Sequence, residues 1–492
     1  MIGTLKAIKK ISIKSRSTCC SPFRFIFLIF LFISNGNGFS EEFVTFANGN
    51  SPFKIDMPSL HSNEITKINN IDALSEDKLH NVVSFEELAE ALDKATGGEV
   101  IVVRVNLRNR RFHYKQKHRY SSPVLIIGML ENNKAPYLDN ITWEHLHNVT
   151  ISHFKISNLR ASSRHSYSWQ IRRSNNVRLS NLHFTSSSNN LKALKSNNIN
   201  TILNNHSGLL IKESEDILID RTLFTDLFHA VEFSELNSFY AVANKAVRIA
   251  SDMFSGGGVR DALFDSNLSH TRTPVFYKRY GKTRYVHSDM IQLHTTKMRR
   301  GNKNITIRNN VSLVGGTPLT NRSLAGWQCF FTRDERGDSV RYGNKLYSNI
   351  KIINNICASN QHHGVTLSRG VNNVVAGNFI LLVDEGKTLR EATGSIKVFD
   401  NKNCKILGNV SYVFDLKNLS GCEVTNNIYD YKPDYGKTLL KIKGGINGAK
   451  KRTVIGQGST SNDLSRYYIK KDLLTKPLQF LDYSALTLVP NF

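Results

Sequence analysis

One short pattern recurs through most of the chain and limits its fold more than any other feature. It begins at an Asn or Asp (in two copies at a Cys), continues with alternating β-branched residues and often ends at another Asn. Copies begin at Asn148, Asn176, Asp216, Asn304, Asn349, Asn373, Cys404 and Cys422. Each copy is typical of a strand, a turn of one or two residues and a second short strand.

A unit of this kind cannot bury its apolar face alone, so successive copies must stack. Parallel stacking places strands about 4.8 Å apart and lets Asn side chains at the turns hydrogen-bond along the stack. An antiparallel sandwich would need regular Asn-Gly hairpins, which are mostly missing. A β-propeller would need a tighter repeat with a blade signature. The pattern therefore predicts an all-β fold, a parallel β-solenoid.

A helix is predicted at the N-terminal edge of this solenoid. Ser84 and Glu87 have the spacing of a capping box, and Gly97-Gly98 would end the helix. Its apolar face would consist of Phe85, Leu88, Ala91, Leu92 and Ala95. Because an exposed strand edge recruits other chains, we expect this helix to cap the first coil. The repeats fade after about residue 452, so 453–492 is predicted to form a C-terminal cap.

The N-terminus has the features of a secretory signal. Six basic residues precede a run of nine apolar residues, Phe25 to Ile33, and small residues follow at Ser34, Gly36 and Gly38. Nine residues cannot span roughly 30 Å of hydrocarbon. We expect a signal peptide at 1–38, an arm or linker at 39–83 and a solenoid domain at 84–452, with an uncleaved anchor as the alternative. The protein would be secreted, periplasmic or on the cell surface, with no stable membrane span after cleavage.

The chain is strongly basic, with a formal charge of +25 over 492 residues. A basic surface attracts nucleic acid, anionic lipid or acidic polysaccharide. Export favours an acidic polysaccharide over nucleic acid as the partner. The alternative is a lysine excess that only keeps the protein soluble.

Four cysteines remain after the signal: Cys329, Cys357, Cys404 and Cys422. They do not have the spacing of a disulfide-dense scaffold or of a Cys-x-x-Cys metal site. Cys404 and Cys422 occupy equivalent places in successive coils. We expect them to stack as small buried residues, with a disulfide between them as the alternative.

A polar row is predicted on one face of the solenoid. The triplet Ser-Asp-Met occurs around Asp252 and again around Asp289. Aligning coils by their apolar residues stacks four polar residues: Asp252, Asp289, Gln328 and His363. Gln292 lies beside this row, and His294 aligns with Arg333. Such a row would match an extended, chain-like ligand lying along the solenoid axis.

The helix, the following "GGEVIVV" and the Asn-led coils resemble the N-terminal end of right-handed parallel β-helix proteins of the pectate-lyase-like superfamily. A narrower likeness covers residues 240 to 380, where "HSDMIQLHT", "ITIRNNV", "WQCFFTRDE" and "HHGVTL" resemble secreted bacterial right-handed β-helix repeat proteins. The resemblance implies a right-handed coil. It says little about the reaction, because this fold carries polysaccharide lyases, glycoside hydrolases, uronan epimerases and phage tailspikes.

Three chemical interpretations of the row compete. Asp252 and Asp289, one coil apart, would have the roughly 5–5.5 Å separation of a retaining glycosidase pair. The same two carboxylates could bind Ca²⁺, which prefers oxygen ligands. A lyase or epimerase would instead need a base and an acid beside a uronate. The catalytic candidates are Asp252, Asp289, His287, His294, Arg333 and His363.

A basic and aromatic segment, Phe276 to His287, favours an anionic glycan, because its cations can pair with carboxylates and its tyrosines can stack on sugars. The predicted substrate-binding residues are Lys278, Arg279, Tyr280, Arg284, Gln292 and Gln328. The function predicted is binding and β-elimination of an acidic polysaccharide by a monomer or trimer. A glycoside hydrolase, an epimerase and a non-catalytic adhesin or tailspike-like binder are the alternatives.

Overall fold

The protein forms a long parallel β-helix. The computed structural model describes residues 78–108, 111–130, 134–158, 167–186, 207–272, 276–279, 282–285, 288–295, 298–316, 328–333, 347–359, 364–384, 395–411, 413–429, 440–443, 452–455 and 469–470. Within them, 36 strands are joined through backbone hydrogen bonds into one sheet that winds around a common interior. The predicted β-solenoid is therefore confirmed.

The strands lie on three faces, which we call sheets 1, 2 and 3. Sheet 1 contains β3 (Phe112–Lys115), β5 (Ile141–Glu144), β8 (Tyr167–Arg172), β11 (Ser207–Lys212), β14 (Val231–Ser234), β17 (Phe254–Gly257), β22 (Asp289–His294), β25 (Gln328–Arg333), β28 (Val365–Val371), β31 (Ser395–Lys402), β34 (Val413–Lys417) and β36 (Leu440–Lys443). Sheet 2 contains β1 (Leu79–Val82), β2 (Val100–Val103), β4 (Val124–Gly128), β6 (His147–Ser152), β9 (Asn175–Ser180), β12 (Glu215–Asp220), β15 (Asn237–Val242), β18 (Arg260–Asp265), β23 (Lys303–Arg308), β26 (Tyr347–Ile353), β29 (Val374–Ala376), β32 (Lys405–Leu407), β35 (Glu423–Tyr429) and β37 (Arg452–Ile455).

Sheet 3 contains β7 (Lys155–Asn158), β10 (His183–Ser186), β13 (Leu223–Thr225), β16 (Lys245–Ile249), β19 (Leu268–Arg272), β24 (Val311–Gly316), β27 (Ile356–Ser359), β30 (Phe379–Asp384) and β33 (Val410–Ser411). Strand β38 (Ile469–Lys470) pairs with β30. A separate antiparallel hairpin consists of β20 (Phe276–Arg279) and β21 (Lys282–Tyr285). The chain runs from sheet 2 to sheet 3 and then to sheet 1, and parallel crossovers of this kind are almost always right-handed.

The interior is filled by stacked apolar side chains, one layer for each coil. At the N-terminal end, the rings of Trp143, Trp169, Phe184 and Phe224 follow one another at centroid distances of 5.2 to 6.0 Å. All four side chains are fully buried. Burying a large apolar side chain stabilises the fold by about 1.5–3 kcal/mol, so this column holds the coils together.

A ladder of buried asparagines marks the turn between sheets 2 and 3. In each step, one Nδ2 donates to the Oδ1 of the next asparagine at 2.9 or 3.0 Å. Its members are Asn244, Asn267, Asn310, Asn355, Asn378, Asn409 and Asn427. The predicted hydrogen bonding of Asn along the stack is confirmed. Because every rung also accepts from a backbone N–H, the ladder fixes the register of successive coils.

The predicted capping helix is α1, Phe85–Lys94. The Ser84 hydroxyl accepts from the Glu87 N–H at 3.0 Å, as predicted for the N-cap, while the Glu87 carboxylate accepts from the N–H of Val83, one residue before Ser84, at 2.8 Å. Strand β1 precedes α1 and pairs with β2, so the sheet already begins within the segment expected to be an arm. The predicted signal peptide, residues 39–77 and most of the predicted C-terminal cap lie outside the described residues. Within the described ranges, no helix is long and apolar enough to cross a membrane.

Cys404 and Cys422 stack as buried residues, as expected, and the stated alternative holds as well. Cys404 and Cys422 form a disulfide, with Cα atoms 4.3 Å apart. Parallel stacking places two cysteines at equivalent positions of neighbouring coils within bridging distance, so packing and bonding are not alternatives here. A second disulfide joins Cys329 and Cys357, with Cα atoms 5.9 Å apart, and links sheet 1 to sheet 3 within one coil.

Candidate active site

The predicted polar row lies where the chain returns from sheet 3 to the start of sheet 1. The Asp289 N–H donates to Asp252 Oδ1 at 2.8 Å, and the Met253 N–H donates to the Asp289 carbonyl at 3.2 Å. Asp289 in turn pairs with Gln328. The predicted stacking of these three positions is therefore confirmed.

The row extends further toward the N-terminus than the sequence predicted. The Ala230 N–H donates to the Asp252 carbonyl, and the Gly208 N–H donates to the His229 carbonyl, which places His229 one coil before Asp252. One coil earlier, Ser207 pairs with Tyr167. We call the whole set the polar column: Tyr167, Ser207, His229, Asp252, Asp289 and Gln328.

His229 is held between two carboxylates. Its Nδ1 lies 2.6 Å from Glu232 Oε1, and its Nε2 lies 3.8 Å from Asp252 Oδ2. Glu232 projects outward from β14, three residues after His229. The side chains of His229 and Glu232 are 18% and 23% exposed, so solvent or a ligand can reach this pair.

Glu232 is also fixed by two hydroxyl groups from preceding coils. The Tyr167 hydroxyl donates to Oε2 at 3.0 Å, and the Ser207 hydroxyl donates to Oε1 at 2.9 Å. Three strands, β8, β11 and β14, thus contribute to one carboxylate. This arrangement holds the carboxylate in one orientation and, through it, the imidazole of His229.

The electrostatics of the pair favour its charged form. Burial alone would lower the pKa of His229, but the Glu232 and Asp252 carboxylates outweigh burial and raise that pKa above its ordinary value. Burial alone would raise the pKa of Glu232, yet His229 and the two hydroxyls lower it to about 2. Burial, with the Glu232 carboxylate, also raises the pKa of Tyr167. The site therefore combines a carboxylate that is ionised at neutral pH with an imidazole that keeps its proton to higher pH than an ordinary histidine.

The two aspartates do not line an open cleft, which corrects our expectation. Asp252 is 4% exposed and Asp289 is 0% exposed. One oxygen of Asp252 accepts from the backbone of the next coil, and Gln292 Nε2 donates to Asp289 Oδ2 at 3.1 Å. The Asp252 carboxylate is thus bonded to the neighbouring coil, and the Asp289 carboxylate to a side chain of its own strand, β22. Among the column residues whose exposure is described, Tyr167 and His229 are instead partly exposed, as is Glu232, the partner of His229.

The expected calcium site receives no support from this geometry. Among the described residues, no group of three or more His, Cys, Asp or Glu side chains is placed to hold a metal ion. Ca²⁺ takes six to eight oxygen ligands, whereas Asp252 and Asp289 already accept hydrogen bonds from a backbone N–H and from Gln292. The two carboxylates therefore do not fit a Ca²⁺ site by themselves.

The remaining predicted residues divide into two groups. Lys278, Arg279 and Arg284 lie on the hairpin β20–β21, which is inserted in the connection leading to Asp289. Arg333 pairs with His294, as the sequence alignment predicted. Three other predicted residues lie outside the described ones: Tyr280, His287 and His363.

Sequence reasoning missed Tyr167, Ser207, His229 and Glu232, although a signal for two of them was present. The segment Ala230-Val231-Glu232 has the same place in its coil as Met253-Phe254-Ser255. Continuing the alignment one coil upstream from Asp252 would have placed His229 in the row. Tyr167 had no such signal, because a long connection separates its coil from the next.

A second row on the outer face of sheet 1 is cationic near the His229 coil. Lys212 pairs with Arg172 on one side and with Ser234 on the other, and Ser234 pairs with Gly257. Both cationic residues are exposed. A positive surface therefore lies next to small residues on the coils of His229 and Asp252.

Comparison with known proteins gives similarity of fold at most. No family model and no curated protein matches the sequence. An alginate lyase from Paenibacillus sp. overlaps with a TM-score of 0.35 and 12% identity, covering 75% of this chain and 99% of its own. The receptor-binding domain of the Siphovirus 9NA tailspike gives 0.40 and 9%, covering 79% and 80%. PfbA, a surface adhesin of Streptococcus pneumoniae, gives 0.35 and 10%, covering 76% and 92%. Overlaps of this extent do not indicate a reaction.

Proposed function

We propose that this protein is exported, binds an acidic polysaccharide along sheet 1 and cleaves it by β-elimination beside a uronate, with His229 as the proton donor. The observation that carries this proposal is the partly exposed His229–Glu232 pair at the centre of the polar column. Two neighbouring carboxylates raise the pKa of His229, so this histidine keeps its proton to higher pH, and a general acid must be protonated before it acts.

The elimination would require two proton transfers. A base removes the proton beside the uronate carboxylate, a carbon–carbon double bond forms, and the bond to the glycosidic oxygen breaks. The leaving oxygen then takes the proton of His229, which becomes neutral. For the base, His287 remains a sequence-predicted candidate, and it lies outside the described residues. Cations near the uronate would stabilise the negative charge that develops on it.

Two further observations support an exported protein with an anionic substrate. Arg172 and Lys212 are exposed cations two coils and one coil before that of His229, and the hairpin β20–β21 carries Lys278, Arg279 and Arg284. The two disulfides agree with the predicted export, because disulfides persist in oxidising compartments.

Hydrolysis is the second candidate, and one observation favours it. Glu232 is an ionised, partly exposed carboxylate beside a protonated imidazole, which are the groups needed to activate water and protonate a leaving oxygen. The pair that the sequence suggested for hydrolysis, Asp252 and Asp289, is less suited to this role because both carboxylates are buried.

The test incubates the mature protein with a panel of uronans and neutral glycans. Absorbance from unsaturated sugars would indicate elimination, and new reducing ends without that absorbance would indicate hydrolysis. Binding without either product would indicate an adhesin-like protein. Parallel samples with chelator and with added Ca²⁺ test for a metal requirement.

The residue test compares His229→Asn with His145→Asn. A general acid contributes about 10²- to 10⁴-fold to a rate, so we expect the first variant to lose activity by that factor. His145 is a partly exposed histidine outside the polar column, and its variant should retain the rate. Full activity of His229→Asn would contradict the proposed role of His229.

A further inference from the structure

Two glutamines lie in one row of sheet 1, on either side of Glu232. Gln170 pairs with Leu210 and Leu210 pairs with Glu232, so Gln170 lies two coils before Glu232. Glu232 pairs with Ser255 and Ser255 pairs with Gln292, so Gln292 lies two coils after it. Both glutamines are partly exposed, so a molecule lying along sheet 1 can contact both.

Strand geometry places both glutamine side chains on the outer face of the sheet. Side chains alternate between the two faces of a strand. The neighbours of the first glutamine, Trp169 and Ile171, belong to the interior core, as do Ile291 and Leu293 beside the second. The two amides therefore face away from the interior.

The amide of Gln292 has a defined direction. Its Nε2 donates to Asp289 Oδ2 at 3.1 Å, and Asp289 is 0% exposed. Because a carboxylate only accepts hydrogen bonds, the amide nitrogen rather than the amide oxygen must face Asp289. Asp289 is itself held, since its N–H donates to Asp252 Oδ1 and its carbonyl accepts from the Met253 N–H. Gln292 Oε1, which can only accept, therefore lies on the opposite side of the amide.

The amide of Gln170 has the reverse direction. Arg172 Nη2 donates to Gln170 Oε1 at 2.5 Å. Because a guanidinium only donates, the amide oxygen faces Arg172 and the amide nitrogen lies on the opposite side. Lys212 pairs with Arg172 and is an exposed cation on the next coil. The coils before Glu232 therefore present hydrogen-bond donors.

The two ends of this row differ in the groups that they can bind. In an ionised uronan, the carboxylates only accept hydrogen bonds, and the hydroxyls are the groups that donate. The donors of Gln170, Arg172 and Lys212 suit a carboxylate. The Oε1 of Gln292 needs a donor and therefore suits a hydroxyl.

We propose that Gln292, oriented by Asp289, accepts a hydrogen bond from a free sugar hydroxyl two coils after Glu232, and that the protein selects polysaccharides in which this hydroxyl is unsubstituted. Asp289 is then a positioning residue. This inference rests on one part of the proposed function, the binding of an acidic polysaccharide along sheet 1. It does not depend on how the polymer is cleaved.

The test measures the binding of polymannuronate, polyguluronate and polygalacturonate, each with free hydroxyls and after O-acetylation. Acetylation replaces hydroxyl donors by esters, which only accept, and leaves the carboxylates unchanged. Titration calorimetry uses the His229→Asn protein, in which we expect cleavage to be slow. For a polymer that binds, loss of one hydrogen bond should make the Kd of the acetylated form about threefold to tenfold higher.

Two substitutions in this background test the residues. Gln292→Ala should bind the free form more weakly and abolish the difference between the two forms. In Asp289→Asn, the new amide can donate as well as accept, so Gln292 can turn and the difference should shrink. Gln170→Ala is the matched control, because it removes an amide from the same row but one that donates. It should weaken the binding of both forms equally and leave the difference unchanged.

The outcomes separate this inference from the proposed function. Equal Kd values for the two forms before these substitutions would overturn the inference alone. A difference that persists in Gln292→Ala would also overturn it, because the bulk of the acetyl groups would then be the cause. Failure to bind any of the three uronans would overturn the proposed function and this inference together. If Asp289→Asn does not fold by circular dichroism, the two alanine variants decide, since both replaced side chains are partly exposed.

Discussion

At the scale of single residues, one carboxylate sets the chemistry of the polar column. Glu232 accepts hydrogen bonds from Tyr167 and Ser207 and lies 2.6 Å from His229. These contacts lower the pKa of Glu232 and raise the pKa of His229, because each charge stabilises the other at low exposure.

Replacing Glu232 should change the pH dependence of the reaction. Burial lowers the pKa of His229, but Glu232 and, to a smaller extent, Asp252 raise it. The net result is a raised pKa. In Glu232→Gln, burial is less opposed, so the pKa of His229 falls and the protonated form is lost at a lower pH. We expect the alkaline limb of the kcat/KM profile to move to lower pH, with a reduced maximum.

Ser207→Ala is the control for this prediction. It removes one hydrogen bond to Glu232 but retains the carboxylate charge. Its alkaline limb should stay close to that of the wild type. A limb that moves equally in both variants would show that Glu232 does not set the pKa of His229.

At the scale of elements, the asparagine ladder fixes the coils against one another. Each rung donates to the next asparagine and to a backbone carbonyl, and accepts from the backbone N–H of the preceding rung. Buried amides are costly unless all their hydrogen-bonding groups are satisfied. A register fixed in this way also aligns the strand starts of sheet 1, on which the polar column depends.

Removing one rung should therefore destabilise the protein more than removing a surface asparagine. In Asn310→Ala, Asn355 loses a donor and the backbone N–H of Asn267 loses its acceptor. An unsatisfied buried group costs about 1–3 kcal/mol, so urea should unfold this variant at a lower concentration.

Asn175→Ala provides the comparison, because Asn175 is partly exposed on β9 and its side chain makes a long contact of 3.5 Å with Asp216. We expect its urea midpoint to lie close to that of the wild type. Similar midpoints for the two alanine variants would mean that the ladder adds little to stability.

At the scale of the whole molecule, charge distinguishes this protein from a neutral solenoid. Its formal charge is +25, and Arg172 and Lys212 are exposed at the ends of β8 and β11 on sheet 1. Interactions between exposed charges are screened within about 10 Å at 0.1 M salt. Attraction of a polyanion should therefore depend strongly on ionic strength.

We expect KM for an anionic polysaccharide to rise with added NaCl, while kcat changes little. The double variant Arg172→Gln, Lys212→Gln should show a higher KM at low salt and a weaker salt dependence. Binding of a neutral glycan provides the control, and its affinity should not respond to salt. An anionic substrate with a salt-independent KM would contradict the proposed role of these cations.

Features that repeat locally were predictable from the sequence. The helix N-cap at Ser84, the stacked asparagines and the register of Asp252, Asp289 and Gln328 each follow from a pattern within one coil. Because strands pair with the coil before and after, aligning apolar residues was enough to predict which positions stack.

The pairing of Cys329 with Cys357, the burial of Asp289 and the contact of Tyr167 with Glu232 were decided only by the tertiary structure. Each depends on how three faces close around one interior and on connections of unequal length between sheets 3 and 1. The sequence by itself determined that the coils stack and which positions align. Which side chains contact one another and which are exposed to water was determined only by the closed coil. Both depend on spatial distances between segments that are far apart in the sequence.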